Sequence, residues 1–235
     1  TSFDALTIAL KILNLPRDSE VIIPAMTYCS TAFAVINANL KPILVDIDFL
    51  KPTIDIRKIQ NRITKKTRVI MPVHLYGSVV DIPLIRKIIK NKDIIIIDDC
   101  SQAHGAGDNN KKVGSIADIS CFSLYPGKNL GAYGDAGIIT TNKKRIYNKI
   151  KNFRNLGSDV KFMHNQIGFN SRMDTIQAAI LLEKIKIFPD ELIKRNQHAA
   201  YYSKNLFSQF KIPKIPNGYF SSWAQYSIVF ESNEK

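Results

Sequence analysis

The stretch "DIIIIDDCSQAHG" (residues 93–105) sets four isoleucines in a row and closes them with two aspartates. A half-exposed strand alternates apolar and polar residues, whereas a continuous apolar run puts apolar groups on both faces, as mainly parallel strands covered by helices on each side require. Runs of this kind recur at 20–25 ("EVIIPA"), 41–47 ("KPILVDI"), 68–73 ("RVIMPV"), 119–124 ("ISCFSL") and 136–141 ("AGIITT"). Helix-patterned stretches fall at 3–14, 29–38, 55–63, 81–91 and 143–154, with a longer one at 175–188. The alternation predicts an α/β fold, a three-layer αβα large domain around a mainly parallel sheet.

Beyond Pro189 the texture changes. A polar helix carrying "RNQHAAYYSKNLF" leads into "KIPKIPNGYF", whose prolines and glycine predict a connector, and "AQYSIVF" predicts one more strand. The expected organisation is a large domain over 1–200 and a second, smaller C-terminal domain that begins at 201 and is cut off at Lys235.

Composition narrows the classes. The 235 residues, 45% of them hydrophobic, suffice for a sizeable core. No apolar run is long enough for a membrane span, and the opening "TSFDALTIALKILNLP" predicts an amphipathic helix rather than an export signal. Cys29, Cys100 and Cys121 are odd in number and widely spaced, which suggests neither a disulfide framework nor a zinc site and fits a reducing cytoplasm. The net charge of +13 would attract any anion. Its basic residues lie in short clusters without interleaved aromatics, so a solvated lysine-rich surface is expected rather than a nucleic-acid footprint, and no membrane partner is expected either.

In sheets of this type ligands bind beyond the carboxyl ends of the strands. The residues delivered there are Thr27 and Tyr28; His74 and Tyr76; Asp98, Asp99, Gln102 and His104; Ser123, Tyr125 and Lys128. A partly desolvated lysine loses some preference for its charge, and only its neutral amine attacks a carbonyl to form a Schiff base. If that carbonyl belonged to pyridoxal phosphate, an aspartate such as Asp99 facing the ring nitrogen would keep it protonated. Taken singly, Asp98 and Asp99 read as caps of a turn, Lys128 as a surface residue, and His74 and His104 as satisfied core histidines. The glycines of "GAYGDAG" precede a strand rather than a helix, which argues against a dinucleotide fingerprint. No Walker, G-x-S-x-G or His-x-x-His pattern supports phosphoryl transfer or hydrolysis.

Taken together, "DALTIAL" (4–10), "PAMTYCSTAFAVINANLKPILVDID" (24–48), "MPVHLYG" (71–77), "IIDDCSQAHGA" (96–106), "VGSIADISCFSLYPGKNLGAYGDAGIITTN" (113–142), "GFNSRMDTIQAAIL" (168–181) and "WAQYSIVF" (223–230) carry a resemblance along nearly the whole chain. The chain resembles the sugar aminotransferases of the DegT/DnrJ/EryC1/StrS family, which use pyridoxal phosphate on the aspartate-aminotransferase fold, fold type I. The resemblance implies that Lys128 bonds the cofactor and moves the proton, that Asp99 pairs with the pyridine nitrogen, and that Gln102 reaches the ring hydroxyl. It implies further that Tyr28 stacks on the ring, that Ser123 and the start of the first helix hold the phosphate, and that Asn170 reaches the phosphate of a neighbouring subunit, making a homodimer the expected unit. The family's Ser-Gly-Thr type turn before "DAL" is replaced here by Thr1, Ser2 and Phe3, which leaves Ser2 and Phe3 as the expected phosphate-side residues. Asn39 stands where a glycine is usual, which asparagine tolerates in left-handed backbone.

Family members that replace the lysine with histidine are dehydratases, and Lys128 argues against that branch. The expected activity is transfer of an amino group, from glutamate, to a nucleotide-linked keto-deoxysugar, with a dTDP-3-keto-6-deoxyhexose the nearest match. The alternatives are a non-catalytic cofactor-binding regulator of the same family and a basic nucleic-acid binder.

Overall fold

A computed structural model describes residues 1–48, 51–108, 111–206 and 210–229. Among the described residues ten strands form: β1 (Glu20–Pro24), β2 (Lys41–Val45), β3 (Thr67–Ile70), β4 (Ile95–Asp99), β5 (Gly107–Asp108), β6 (Ile119–Ser123), β7 (Gly137–Thr140), β8 (Ser158–Val160), β9 (Met163–His164) and β10 (Tyr219–Phe220). Six α-helices accompany them: α1 (Ser2–Lys11), α2 (Cys29–Asn37), α3 (Ile56–Ile59), α4 (Ile82–Ile88), α5 (Lys144–Phe153) and α6 (Thr175–Leu206). The main sheet has the order β2-β1-β3-β4-β6-β7. All neighbours in it run parallel except β7, which pairs antiparallel with β6. All six apolar runs of the sequence are in this sheet, and the fold is the α/β type expected of them.

The isoleucine runs work as their period dictates. Val21, Ile23, Val69 and Ile97 point into one core with Leu6, Leu10 and Val35 of α1 and α2. Ile22, Ile70 and Ile96, one residue out of step, point into a second core with Ile59, Ile82 and Ile85. Each such side chain contributes on the order of 2 kcal/mol on leaving water, which offsets the cost of ordering the strands. The edge strands β2 and β7 keep intermediate or exposed positions, as edges do.

Local signals set the helix ends. Thr1 accepts from the Asp4 N–H, and Asp4 accepts in return, closing a capping box on α1. Asp81 caps α4 through the Leu84 N–H (2.8 Å). Helix α2 ends with Asn39 at φ 58° and with the Leu40 N–H returned to Val35 O (3.1 Å), so asparagine takes the left-handed place expected of it.

Two expectations differ. Helix α6 does not stop at Pro189 but continues to Leu206, so residue 200 lies inside it. Proline removes one N–H and costs most where the orphaned carbonyl is buried; here that carbonyl belongs to Ile185, whose residue is exposed, and water can take the place of the missing donor. The second difference concerns "AQYSIVF": residues 224–228 form no strand, Val229 makes a lone bridge to Lys211, and Phe230 lies outside the described residues. A strand needs an edge to pair with, and this segment gives its hydrogen bonds to loops of the main sheet instead. The short pairing β10–β5 precedes it, with Tyr219 opposite Asp108.

Candidate active site

Because β1, β3, β4 and β6 are parallel, their carboxyl ends open on one rim. The chain leaves β1 through Thr27 to Tyr28 at the start of α2, leaves β4 through Ser101 and Gln102, and leaves β6 through Tyr125 to Lys128. With Ser2 and Phe3 of α1, these residues line a cleft of ≈ 640 Å³.

Asp99 forms its floor. It is 3% exposed, and a buried carboxylate is tolerated only if donors meet it. The Thr31 hydroxyl donates to Oδ2 (3.0 Å) and the Ser101 N–H to Oδ1 (3.0 Å). Its backbone is clamped as well, with N–H to Pro72 O (2.9 Å) and C=O from the His74 N–H (3.0 Å). Each carboxylate oxygen retains acceptor capacity.

Asp98, one step earlier, faces the opposite side of the sheet. Val80 N–H donates to Nδ1 of His74 (3.0 Å), so the imidazole is neutral with its proton on Nε2, which meets Asp98 Oδ2 at 3.1 Å. Ligand atoms of His74, Asp98 and Cys100 lie within 4.8 Å of one another. A nitrogen that bears a proton donates rather than ligates, so this geometry makes the cluster a buried hydrogen-bond group and not a metal centre.

Lys128 is partly buried. Burial pushes its amine below the ordinary lysine value, and the negative charge of Asp99 opposes the shift without cancelling it. The result enlarges the neutral fraction able to act as nucleophile. Gln102 Oε1 accepts from the Tyr76 N–H (2.6 Å), which fixes its orientation, since only the oxygen can meet an N–H, and leaves its amide N–H groups for other partners. Tyr76 takes φ 59°, a left-handed conformation uncommon for tyrosine. Ser123 is buried at the end of β6, and Tyr28 is 72% exposed, its ring forming part of the wall. The first-turn N–H groups of α1 at residues 2 and 3 have no acceptor within the helix.

A match to the model of the DegT/DnrJ/EryC1/StrS aminotransferase family covers residues 2–235. The chain belongs to that family. It is 37% identical over 232 residues to a UDP-N-acetyl-3-dehydro-alpha-D-glucosamine 3-aminotransferase of Acidithiobacillus ferrooxidans, covering 98% of this chain and 63% of the relative. It is 39% identical over 232 residues to a dTDP-3-amino-3,6-dideoxy-alpha-D-galactopyranose transaminase of Aneurinibacillus thermoaerophilus, covering 98% and 64%. Among solved structures, S. venezuelae DesV in complex with a ketimine intermediate superposes with TM-score 0.95 at 32% identity, covering 99% of this chain and 63% of that one. The chain thus spans just under two thirds of the length of these relatives.

Within this family member, Lys128, Asp99, Gln102, Ser123, Tyr28, Ser2 and Phe3 line one cleft. Asn170 does not line it. It lies exposed on the segment after the β8–β9 hairpin, its backbone bridged to Asn155. His74 is a satisfied core histidine, in keeping with the expectation from its position. His104 differs: it is buried, and among the described residues neither ring nitrogen makes a hydrogen bond of good geometry, although the Ser123 backbone lies near enough to act on it. Its pKa falls to about 4, chiefly through burial and further through the charge of Lys128, with the Ser123 backbone opposing. Thr31 is absent from the residues expected at the site. Its signal in the sequence is a second threonine four residues after Thr27, in the first turn of α2, and Thr27 and Thr31 indeed share a hydrogen bond (2.9 Å).

Proposed function

We propose that the protein containing this chain is a pyridoxal-phosphate-dependent aminotransferase that transfers an amino group from an amino acid, glutamate, to a keto group at the 3-position of a nucleotide-linked deoxysugar. The observation that carries this reading is that Lys128, with its amine depressed by burial, and Asp99, a carboxylate already held by two donors, open on the same cleft.

The residues present fit the cofactor. The cleft has the volume of a small-molecule site, one wall carries an aromatic ring, the floor carries an ionisable acid, and one end carries a helix N-terminus of the kind that binds phosphate. Pyridoxal phosphate, when bound, supplies an aldehyde that condenses with amines and a cationic ring that draws electrons from the substrate carbon. Lys128 would hold that aldehyde and, once displaced by the donor amine, carry the proton between substrate and cofactor carbons. Asp99 would keep the proton on the ring nitrogen, its own orientation set by Thr31 and Ser101. The free N–H groups of Gln102 would donate to the ring oxygen, Tyr28 would cover the ring face, and Ser123 with the amides at Ser2 and Phe3 would hold the phosphate. A lysine at 128 supports transfer over the dehydratase chemistry of relatives that carry histidine there.

The functional unit in this reading is a homodimer in which Asn170 reaches the partner's phosphate. Its exposure outside its own cleft supports this, as does the neighbouring apolar arm, where Phe162 is 84% and Ile167 94% exposed. The large domain would span 1–200, with a second domain from 201. The names of the relatives support a 3-keto substrate and leave both UDP and dTDP sugars to be assayed. No helix among the described residues is long and apolar enough to cross a membrane, and a cytoplasmic enzyme is the reading adopted.

The test uses the full-length protein. With pyridoxal phosphate a yellow form should appear, bleach with glutamate and regenerate with a UDP- or dTDP-3-keto sugar; Lys128→Ala should abolish it. A colour that persists with every amino donor tried, and no turnover of keto sugar, would support the regulator instead. Retention of the colour by Lys128→Ala would refute the assignment.

A further inference from the structure

The loop that carries Lys128 is closed by its own backbone and held to α6 where Lys184 Nζ donates to Gly131 O (2.6 Å). Lys128 N–H donates to Tyr125 O (2.9 Å) and Ala132 N–H to Leu124 O (2.8 Å). Asn129 reaches out of it. This buried side chain (7% exposed) donates from Nδ2 to Ser222 O at 2.7 Å, across 93 positions of sequence.

Ser222, fully buried, closes a circuit. Its hydroxyl donates to Gln102 O (3.2 Å), Ser221 Oγ donates to Gly77 O (3.0 Å), and Ala224 N–H donates to Tyr76 O (3.0 Å). Tyr76 N–H in turn meets Gln102 Oε1. The crossing is close: at Gly77, φ +94°, a Cβ would stand 2.7 Å from Ser222 Oγ and 2.8 Å from Trp223 N. The segment is held from its other side by α6, where the Trp223 indole N–H donates to Asn196 Oδ1 (3.0 Å) and Arg195 to Trp223 O (3.3 Å). Three loops, each bearing a residue that lines the cleft, are therefore pinned to one another by a single short stretch of chain that lies far from all of them in sequence.

We propose that Asn129 and Ser222 are positioning residues: the strap 221–225 sets the placement of the Lys128 amine relative to Gln102 and Asp99. This rests on the roles given above to Lys128 and Gln102. Removing one partner of a buried hydrogen bond exposes the other to its full desolvation cost, and local opening rather than global unfolding should register it.

The experiment compares full-length wild type, Asn129→Ala and Ser222→Ala. Amide hydrogen exchange, followed without cofactor, should accelerate about tenfold in Asn129→Ala, not only at 125–132 but also across the strap at 101–104 and 76–77, with the β1 amides unchanged. Ser222→Ala keeps the backbone acceptor for Asn129 and removes only the hydroxyl bond, so it should fold if the larger change does not; it should accelerate 101–104 and 125–132 together. With pyridoxal phosphate added, both variants should shift the pH at which the bound spectrum titrates, a readout that packing alone would leave in place. Acceleration confined to the mutated loop, or an unshifted titration, would overturn the proposal. If wild type binds no cofactor through Lys128, the proposed function fails, while the exchange coupling is judged separately because it is measured without cofactor.

Discussion

The hydroxyl of Thr31 donates to Oδ2 of Asp99 at 3.0 Å although 68 positions separate the two in sequence. The bond joins α2 to the end of β4 in the interior, and a donor at that point fixes how the carboxylate is turned toward the cleft.

Thr31→Val preserves the shape of the side chain and deletes the donor. The loss of a hydrogen bond to a buried charged group should cost about 1–3 kcal/mol, read as a lower denaturation midpoint. Pyridoxal phosphate affinity should fall about tenfold, while Thr31→Ser should restore both. Unchanged affinity in the valine variant would remove Thr31 from the site.

Lys128 should cost the folded protein stability at neutral pH. Its folded pKa lies below the ordinary lysine value, so between the two the unfolded chain binds more protons and stability rises with pH. Lys128→Met should therefore raise the melting temperature of the cofactor-free protein at pH 7, by an amount that shrinks as pH climbs toward the ordinary lysine range. A difference that stays constant with pH would contradict the burial-driven shift.

His104 titrates in the folded protein near pH 4, against 6.5 for an unperturbed imidazole. Its contribution is intact above 6.5 and is lost as pH falls toward 4, because the unfolded chain takes up the proton first. The loss amounts to about 3 kcal/mol. His104→Leu should flatten that part of the curve when denaturant midpoints are compared at pH 7 and pH 4.5; equal slopes in the two proteins would exclude it.

Gly131 sits where a Cβ would come within 2.4 Å of Pro126 O and 2.7 Å of Tyr125 O. Those carbonyls cannot yield without moving the turn that holds Lys128, so Gly131→Ala should weaken cofactor binding markedly. Gly134→Ala is the control, since its nearest neighbour is the end of the flexible Gln177 side chain at 3.0 Å. Equal binding by the two variants would show that the turn does not position the amine.

Much of the fold is legible in the residues themselves. The runs around Ile22, Ile70 and Ile96 announce strands buried on two faces, and residues at their polar ends do meet in one cleft. The strand expected at 224–230 does not form over 224–228: the residues have strand character, but Ala224 and Gln225 give their N–H groups to Tyr76 O and the segment serves as a strap. The stop expected at Pro189 fails because an exposed helix face lets water replace the missing donor. His104 lacks the well-formed hydrogen bonds expected of it, because a sequence conveys that a histidine is apolar-flanked and not how the nearby Ser123 backbone is aligned with it.

From the chain alone came the layers, the parallel sheet, and Lys128 and Asp99 as the residues to watch, since periodicity and strand-end chemistry depend on near neighbours. Period two also says that Asp98 and Asp99 face opposite ways. Only the tertiary structure decided which of them looks into the cleft, that Thr31 holds it there, and that Ser222 ties Asn129 to Gln102. Those are contacts between elements far apart in sequence, and their geometry exists only once both layers of helices have packed on the sheet.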